Sequence, residues 1–289
     1  MKFQMFSAIA WASLAAAPSL GQQAAAARAQ QAGTADAANP GTLSYADLAD
    51  LAAAAPVVAT ATIRDALRLK DADAAGVPAG LARFYVEADV AALIRGAGGL
   101  PGQVRYLVDV PLDARGRAPK LRKARVILLA SPVEGRPGEL RLVAPDAQLP
   151  WTAGDEARLR GILTALNAAD APPQVTGINN AFHVPGAVPG ESETQIFLAT
   201  ADQRPVSLNI LRRPGESPRW AVALGEMVDD AARPPERDTL LWYRLACALP
   251  DELPERATAS LAAAEAEAAR ADYRLVREGL GACGRTRGG

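Results

Sequence analysis

Between residues 57 and 143, apolar and polar side chains alternate with a period of two, which is typical of β-strands with one solvent-facing side. The alternation is clearest from Phe84 to Val90, where every second residue is apolar. The five strands predicted in this way cover residues 57–64, 83–90, 104–110, 125–130 and 139–143. Turns rich in glycine and proline separate them, which favours antiparallel pairing over a βαβ arrangement. We expect a small antiparallel barrel or sandwich here.

The period changes to that of a helix on either side of this region. Residues 40–55 are predicted to be helical, with Ser44 as the N-cap, and residues 151–170 form a second helix. Short turns then separate three strand-like runs, which predicts an antiparallel meander. The meander strands cover residues 195–200, 206–211 and 219–224, and two C-terminal helices cover residues 238–248 and 255–279. The predicted fold class is therefore α+β: a small β-barrel followed by a helix, a meander and C-terminal helices.

The first residues predict export. Residues 1–21 have the features of a signal peptide: Lys2, an apolar run over residues 3–17, and small residues before the expected cleavage after Gly21. A retained anchor is the alternative. Residues 22–43 are rich in alanine and glutamine and are expected to be a disordered leader. Residues 44–150 would form the barrel domain and residues 151–289 an α+β domain. No later segment is apolar over about 18 residues, so no membrane span is expected in the mature chain.

Composition excludes several classes of chemistry and partner. Hydrophobic residues make up 49% of the 289 residues, enough for a sizeable core. The 31 Lys and Arg residues nearly balance the 32 Asp and Glu residues, so the charge does not point to nucleic acid. One histidine and two cysteines cannot build a multi-histidine zinc site or a four-thiolate cluster. The glycine-rich run at residues 96–102 lacks the following helix that a dinucleotide site needs. We expect neither a metal nor a cofactor.

The two cysteines are expected to form a disulfide. Cys247 and Cys283 each lie at or just beyond the end of a predicted helix, where antiparallel packing would bring them together. An exported chain reaches an oxidising compartment in which such a bond forms and persists. A pair of separate buried thiols is the alternative.

His183 is the single histidine and the main catalytic candidate. One hypothesis makes it a general base for Ser192, with Glu191 or Glu193 as the carboxylate that orients the ring. The other makes it a hydrogen-bonded structural residue at a strand end. Ser192 has no Gly-x-Ser-x-Gly motif around it, and spacing alone does not bring these groups together.

The loop after His183 is the stronger binding candidate. It contains turn-forming residues and carboxylates, and it is longer than a simple hairpin requires. The residues expected to contact a ligand are Pro185, Gly186, Pro189, Gly190 and Glu191.

Several segments carry a resemblance to other proteins. Residues 83–88, 106–111, 181–198 and 242–247 resemble exported proteins of alphaproteobacteria for which no activity is known. The resemblance covers most of residues 45–285 and implies export but no reaction. Residues 57–143 are more loosely similar to the small oligonucleotide/oligosaccharide-binding (OB) barrel, which tissue inhibitors of metalloproteinases also use. They lack the N-terminal cysteine of those inhibitors, and strand number alone does not identify a ligand.

Together these features predict a soluble periplasmic or secreted protein that binds a ligand or helps to assemble the cell envelope. A hydrolase that uses His183 with Ser192 or a nearby carboxylate is the alternative. A third hypothesis is a structural partner of another envelope or secreted protein.

Overall fold

The structure, a computed structural model, describes residues 43–225 and 232–287. The predicted signal peptide, residues 1–21, and almost all of the predicted leader, residues 22–43, lie outside these ranges.

The alternating segments form a closed five-stranded barrel, which confirms the predicted fold class. Its strands are β1 (Val57–Arg68), β2 (Leu81–Arg95), β3 (Gln103–Pro111), β4 (Arg125–Pro132) and β5 (Glu139–Leu142). The strand order is β1-β2-β3-β5-β4, and β4 pairs back with β1 to close the barrel. A short strand, β6 (Gln148–Pro150), adds to β4. Apolar residues of alternate positions, such as Phe84, Val86 and Val108, fill the barrel interior.

One strand pair differs from the expected antiparallel arrangement. β3 and β5 run parallel, with Arg105 opposite Glu139 and Tyr106 opposite Leu140. The reason is closure: β4 pairs with β1, so the antiparallel connection from β4 to β5 lays β5 beside β3 in the same direction. Their pairing covers only these two positions, whereas β3 continues to Pro111.

Helices cover one side of the barrel. Helix α1 (Tyr45–Ala54) begins at the predicted N-cap Ser44, whose hydroxyl accepts a hydrogen bond from the Asp47 N–H (3.0 Å). Its buried residues Leu48 and Leu51 belong to one hydrophobic cluster with Ile127 of β4. The same cluster includes helix α2 (Ala153–Asn167). The barrel face made by β1 and β4 is therefore covered, while the outer residues of β2 and β3 remain accessible.

A second sheet follows α2. It contains four antiparallel strands in the order β10-β9-β8-β7, so the predicted three-strand meander is confirmed and β7 extends it. The strands are β7 (Val175–Pro185), β8 (Ser192–Thr200), β9 (Ser207–Arg212) and β10 (Arg219–Ala223). One face of this sheet packs into the same hydrophobic cluster as α1 and α2. The core is thus shared by residues before and after position 150.

The C-terminal helices are α3 (Leu240–Ala246) and α4 (Ala263–Leu280). The predicted helix over residues 255–279 is wrong at its start: Glu255–Thr258 is a separate 3₁₀ turn, with Ala257 and Thr258 buried. The helix proper begins after Ala262, whose N–H donates to the Glu265 carboxylate (3.1 Å).

The C-terminal segment after α4 is fastened to the rest of the protein. The sulfurs of Cys247 and Cys283 lie 2.07 Å apart, as a disulfide requires. Farther along, the N–H groups of Thr286 and Arg287 each donate to the buried carboxylate of Asp47 (both 3.0 Å). Within the described ranges, no helix is both long and apolar enough to cross a membrane.

Candidate functional site

The β7–β8 hairpin positions the residues that the sequence singled out. His183 lies opposite Thr194 in the sheet, and Ser192 lies opposite Pro185. The His183 Nδ1 atom is 2.8 Å from the Thr194 hydroxyl oxygen. The hydroxyl that contacts the histidine is therefore that of Thr194, whereas Ser192 lies farther along the same strand.

A buried carboxylate extends this contact. Thr194 donates to Asp272 of α4, and Arg212 Nε donates to the second Asp272 oxygen (2.6 Å). Because Thr194 gives its one proton to Asp272, its oxygen accepts from the Nδ1–H of His183. Thr194 and Asp272 are completely buried, and the His183 side chain is 9% exposed. The four side chains form a continuous network that ties β7, β8 and β9 to α4.

The predicted binding loop lines a cleft of about 390 Å³. Pro185, Gly186 and Glu191 contribute to its wall, together with Ser192 and Glu193. Further lining comes from Val184 and from Leu211, Arg212 and Arg213 at the end of β9.

The loop closes on itself through the Gly186 N–H, which donates to the Glu191 carbonyl (2.8 Å). Pro189 and Gly190 lie at its tip, where Gly190 has the positive φ of 89° that glycine adopts readily. The structure thus gathers Ser192, Glu191 and Glu193 in one cleft. His183 lies outside that lining and contacts Thr194 instead.

A larger cleft, of about 730 Å³, lies on the outer side of β2, β3 and β5. Its charged lining residues are Arg83, Arg105, Asp109, Arg136, Glu139 and Arg141. The outward positions of the strands supply most of them, because the alternate positions point into the barrel. Four arginines therefore face two carboxylates.

Both carboxylates of this cleft already have partners. Arg83 donates two hydrogen bonds to Asp109 (both 2.8 Å), and a terminal guanidinium nitrogen of Arg136 lies 3.2 Å from a carboxylate oxygen of Glu139. Among the described residues, neither Arg105 nor Arg141 forms a salt bridge, and both are exposed. Glu87 and Glu139 are the strand neighbours of Arg105, but neither forms a salt bridge with it. The cleft thus carries two arginines without a salt bridge.

Apolar and aromatic surface accompanies these charges. Tyr85 lies on β2 opposite Leu107 of β3, and the Leu107 residue is 49% exposed. A hydrogen bond with the Tyr85 side chain is the main cause that raises the pKa of Arg105, and the charges of Glu87 and Glu139 add to the effect. A ligand in this cleft would meet both a cation and a flat apolar surface.

Gly138 brings the loop between β4 and β5 close to β3. Its φ is 81°, and a Cβ atom there would lie 3.1 Å from the Gln103 carbonyl oxygen. The Gly138 carbonyl accepts a hydrogen bond from the Arg105 N–H (2.8 Å). Only glycine combines this backbone conformation with this close approach, so it fixes Arg136 and Glu139 at the edge of the cleft.

This cleft is not among the sites that the sequence predicts. The alternation around residues 83–89 and 105–109 does show arginine, tyrosine and aspartate on outward positions. Pairing Arg83 with Asp109, however, requires the register of β2 on β3, which alternation alone does not give.

The chain matches no protein-family model, and a search of curated proteins finds no related sequence. The closed five-stranded barrel of residues 57–142 is compatible with a small OB-like barrel. That likeness concerns the fold. The described residues contain no cluster of three or more His, Cys, Asp or Glu side chains arranged to hold a metal ion.

Proposed function

We propose that the protein is an exported binding protein that holds an extended anionic ligand in the cleft on β2, β3 and β5. The observation that carries the proposal is the unequal pairing of charges there: Asp109 and Glu139 form salt bridges with Arg83 and Arg136, whereas Arg105 and Arg141 form none among the described residues. Arginine forms paired hydrogen bonds to carboxylate and phosphate groups, so this arrangement selects anionic ligands.

The shape of the cleft adds support. It is an open cleft bordered by Tyr85 and Leu107, which can pack against the apolar parts of a ligand. In OB barrels the corresponding face, made by the second and third strands, commonly binds oligomeric ligands, although a fold by itself defines no function. An extended chain with repeated negative charges fits both the outline and the charge of this surface.

Two features support the proposal that the protein is exported. The predicted signal peptide and the pairing of Cys247 with Cys283 support it, because disulfides persist outside the cytoplasm. The hydrolase alternative lacks comparable support, since the hydroxyl beside His183 belongs to the fully buried Thr194.

The test uses two anionic probes, a galacturonate decasaccharide and a decapeptide of alternating Glu and Val, titrated into the purified protein. We expect at least one of them to bind. The variant Arg105→Glu/Arg141→Glu should weaken that binding by at least about tenfold, equivalent to about 1.4 kcal/mol.

The matched control is Arg122→Glu/Lys123→Glu, which makes the same change in net charge at exposed residues of the turn before β4, outside the cleft lining. Its affinity should stay within about twofold of wild type. Equal losses in both variants would mean that net charge alone drives binding. That result, or no binding of either probe, would overturn the proposal.

A further inference from the structure

The cleft contains a strand edge that has no partner along most of its length. β3 pairs with β2 from Gln103 to Pro111, but on its other side it pairs with β5 only at Arg105 and Tyr106. Beyond Tyr106, none of the described strands covers that second side. Five residues, 107–111, therefore present about 17 Å of open edge.

The direction of the backbone groups follows from two hydrogen bonds. The Leu112 N–H donates to Gly80 on the β2 side, and the Arg105 N–H donates to Gly138 on the β5 side (both 2.8 Å). Because backbone groups alternate between the two sides of a strand, those of Leu107 and Asp109 point away from β2. The carbonyl of Leu107 and the N–H and carbonyl of Asp109 thus face the cleft. None of them has a hydrogen-bond partner among the described residues.

The opposite wall of the cleft leaves room for another chain. It is formed by residues 141–145, which continue from β5 but follow β4 instead of β3: the Val143 N–H donates to the Leu129 carbonyl (3.1 Å). The cleft of about 730 Å³ occupies the gap between this segment and the edge of β3. A peptide backbone placed there would satisfy the free donors and acceptors.

The side chains around the gap specify the peptide. One face of an added strand would lie beside Arg105 and Leu107 on the outside of the barrel, and the other beside Val108 at the opening of the barrel interior. Alternate acidic and apolar residues match these two surroundings. Acidic residues would meet the guanidinium groups of Arg105 and Arg141, which form no salt bridge among the described residues.

We propose that an extended peptide segment with alternating acidic and β-branched residues adds to the free edge of β3 as a further strand between β3 and residues 141–145. The inference rests on the proposed function, because it names the ligand class of the same cleft. The partner is a protein segment, recognised through its backbone and its alternating charge.

The test is N-methylation of the Glu-Val decapeptide, which removes backbone donors but leaves every side chain in place. In an added strand, only residues of one parity direct their N–H groups toward β3. Two peptides are compared, one methylated at every Glu nitrogen and one at every Val nitrogen, by titration into the disulfide-bonded protein.

We expect one methylated peptide to lose at least about tenfold in affinity while the other stays within about threefold of the parent. Loss with methylated Glu would indicate an antiparallel strand, and loss with methylated Val a parallel one. Equal losses of affinity for the two methylated peptides would overturn strand addition.

A second arm separates this inference from the proposed function. If the parent peptide does not bind but the galacturonate decasaccharide binds and is sensitive to Arg105→Glu/Arg141→Glu, strand addition is wrong and the anion-binding function stands. If neither probe binds, both proposals fail.

Discussion

Arg83 and Asp109 face each other across β2 and β3, and two guanidinium nitrogens each donate to a different carboxylate oxygen at 2.8 Å. Their side chains are only 25% and 13% exposed, so the pair is partly shielded from solvent. This pair neutralises one arginine of the cleft and leaves the ligand to Arg105 and Arg141. The net charge that the cleft presents to a ligand therefore depends on Asp109, which neutralises Arg83.

Replacing Asp109 with asparagine should tighten the binding of the galacturonate decasaccharide by about threefold to tenfold, because Arg83 becomes a third available cation. Stability should fall by about 1 kcal/mol with the loss of the ion pair. Titration and urea unfolding measure the two effects. Asp113→Asn is the control, since it removes the same charge from an exposed loop outside the cleft lining. Weaker binding by the Asp109 variant would contradict the assignment.

The network around Asp272 predicts that Thr194 matters for stability and Ser192 does not. Thr194→Val removes the hydroxyl that joins His183 to Asp272, and we expect a loss of about 2 to 3 kcal/mol because buried polar groups lose a partner. Ser192→Ala should stay within about 0.5 kcal/mol of wild type. Urea unfolding compares the two variants. A larger loss for Ser192→Ala would be inconsistent with this network.

The disulfide should contribute strongly to the stability of the C-terminal region. Cys247 and Cys283 are 36 residues apart, and closing such a loop stabilises by about 4 kcal/mol in the chain-entropy model. Unfolding by urea with and without a reductant should show this difference. The variant Cys247→Ser/Cys283→Ser should behave like the reduced protein and ignore the reductant. A wild-type protein equally stable in both conditions would refute the expectation.

Asp47 predicts a loss of stability in acid. Burial raises its pKa, but hydrogen bonds donated by Thr286 and Arg287 outweigh this effect, so the pKa lies below its usual value. A carboxylate with a lowered native pKa stabilises the fold above its unfolded-state pKa of about 4, and that contribution disappears as the pH falls through the native pKa.

Asp47→Asn should therefore lose about 2 kcal/mol at about pH 7 and much less in strong acid, as measured by urea unfolding at each pH. Asp65→Asn, at an exposed carboxylate of β1, is the control and should differ little from wild type at either pH. If Asp47→Asn lowers the free energy of unfolding by the same amount at every pH, the charge of Asp47 does not contribute to stability.

Sequence alone predicts the elements more fully than their contacts. The alternation from Phe84 to Val90 identifies β2 because a half-buried strand requires it, and Ser44 identifies the start of α1 through its capping hydroxyl. The parallel β3–β5 pair depends on barrel closure, which no local pattern encodes. The start of α4 differs from the prediction because the residues around Ala257 form a separate, buried 3₁₀ turn that tertiary packing holds in place.

The candidate sites show the same division. Thr194 is 11 residues from His183, within one hairpin, but Asp272 is 78 residues from Thr194 and joins it only when α4 packs on the sheet. The cleft on β2, β3 and β5 likewise needs the register that puts Arg83 opposite Asp109. Charges on separate strands carry no signal of their mutual pairing in a single sequence.

Backbone amide shifts measured by NMR during titration of the isotope-labelled protein with the Glu-Val decapeptide and, separately, the galacturonate decasaccharide test the location of binding most directly. We predict that the largest changes occur at Arg105, Leu107, Asp109 and Arg141, with little change at Gly186, Glu191 and Ser192. Changes centred on the loop between β7 and β8, or none with either probe, would contradict a binding site on the barrel.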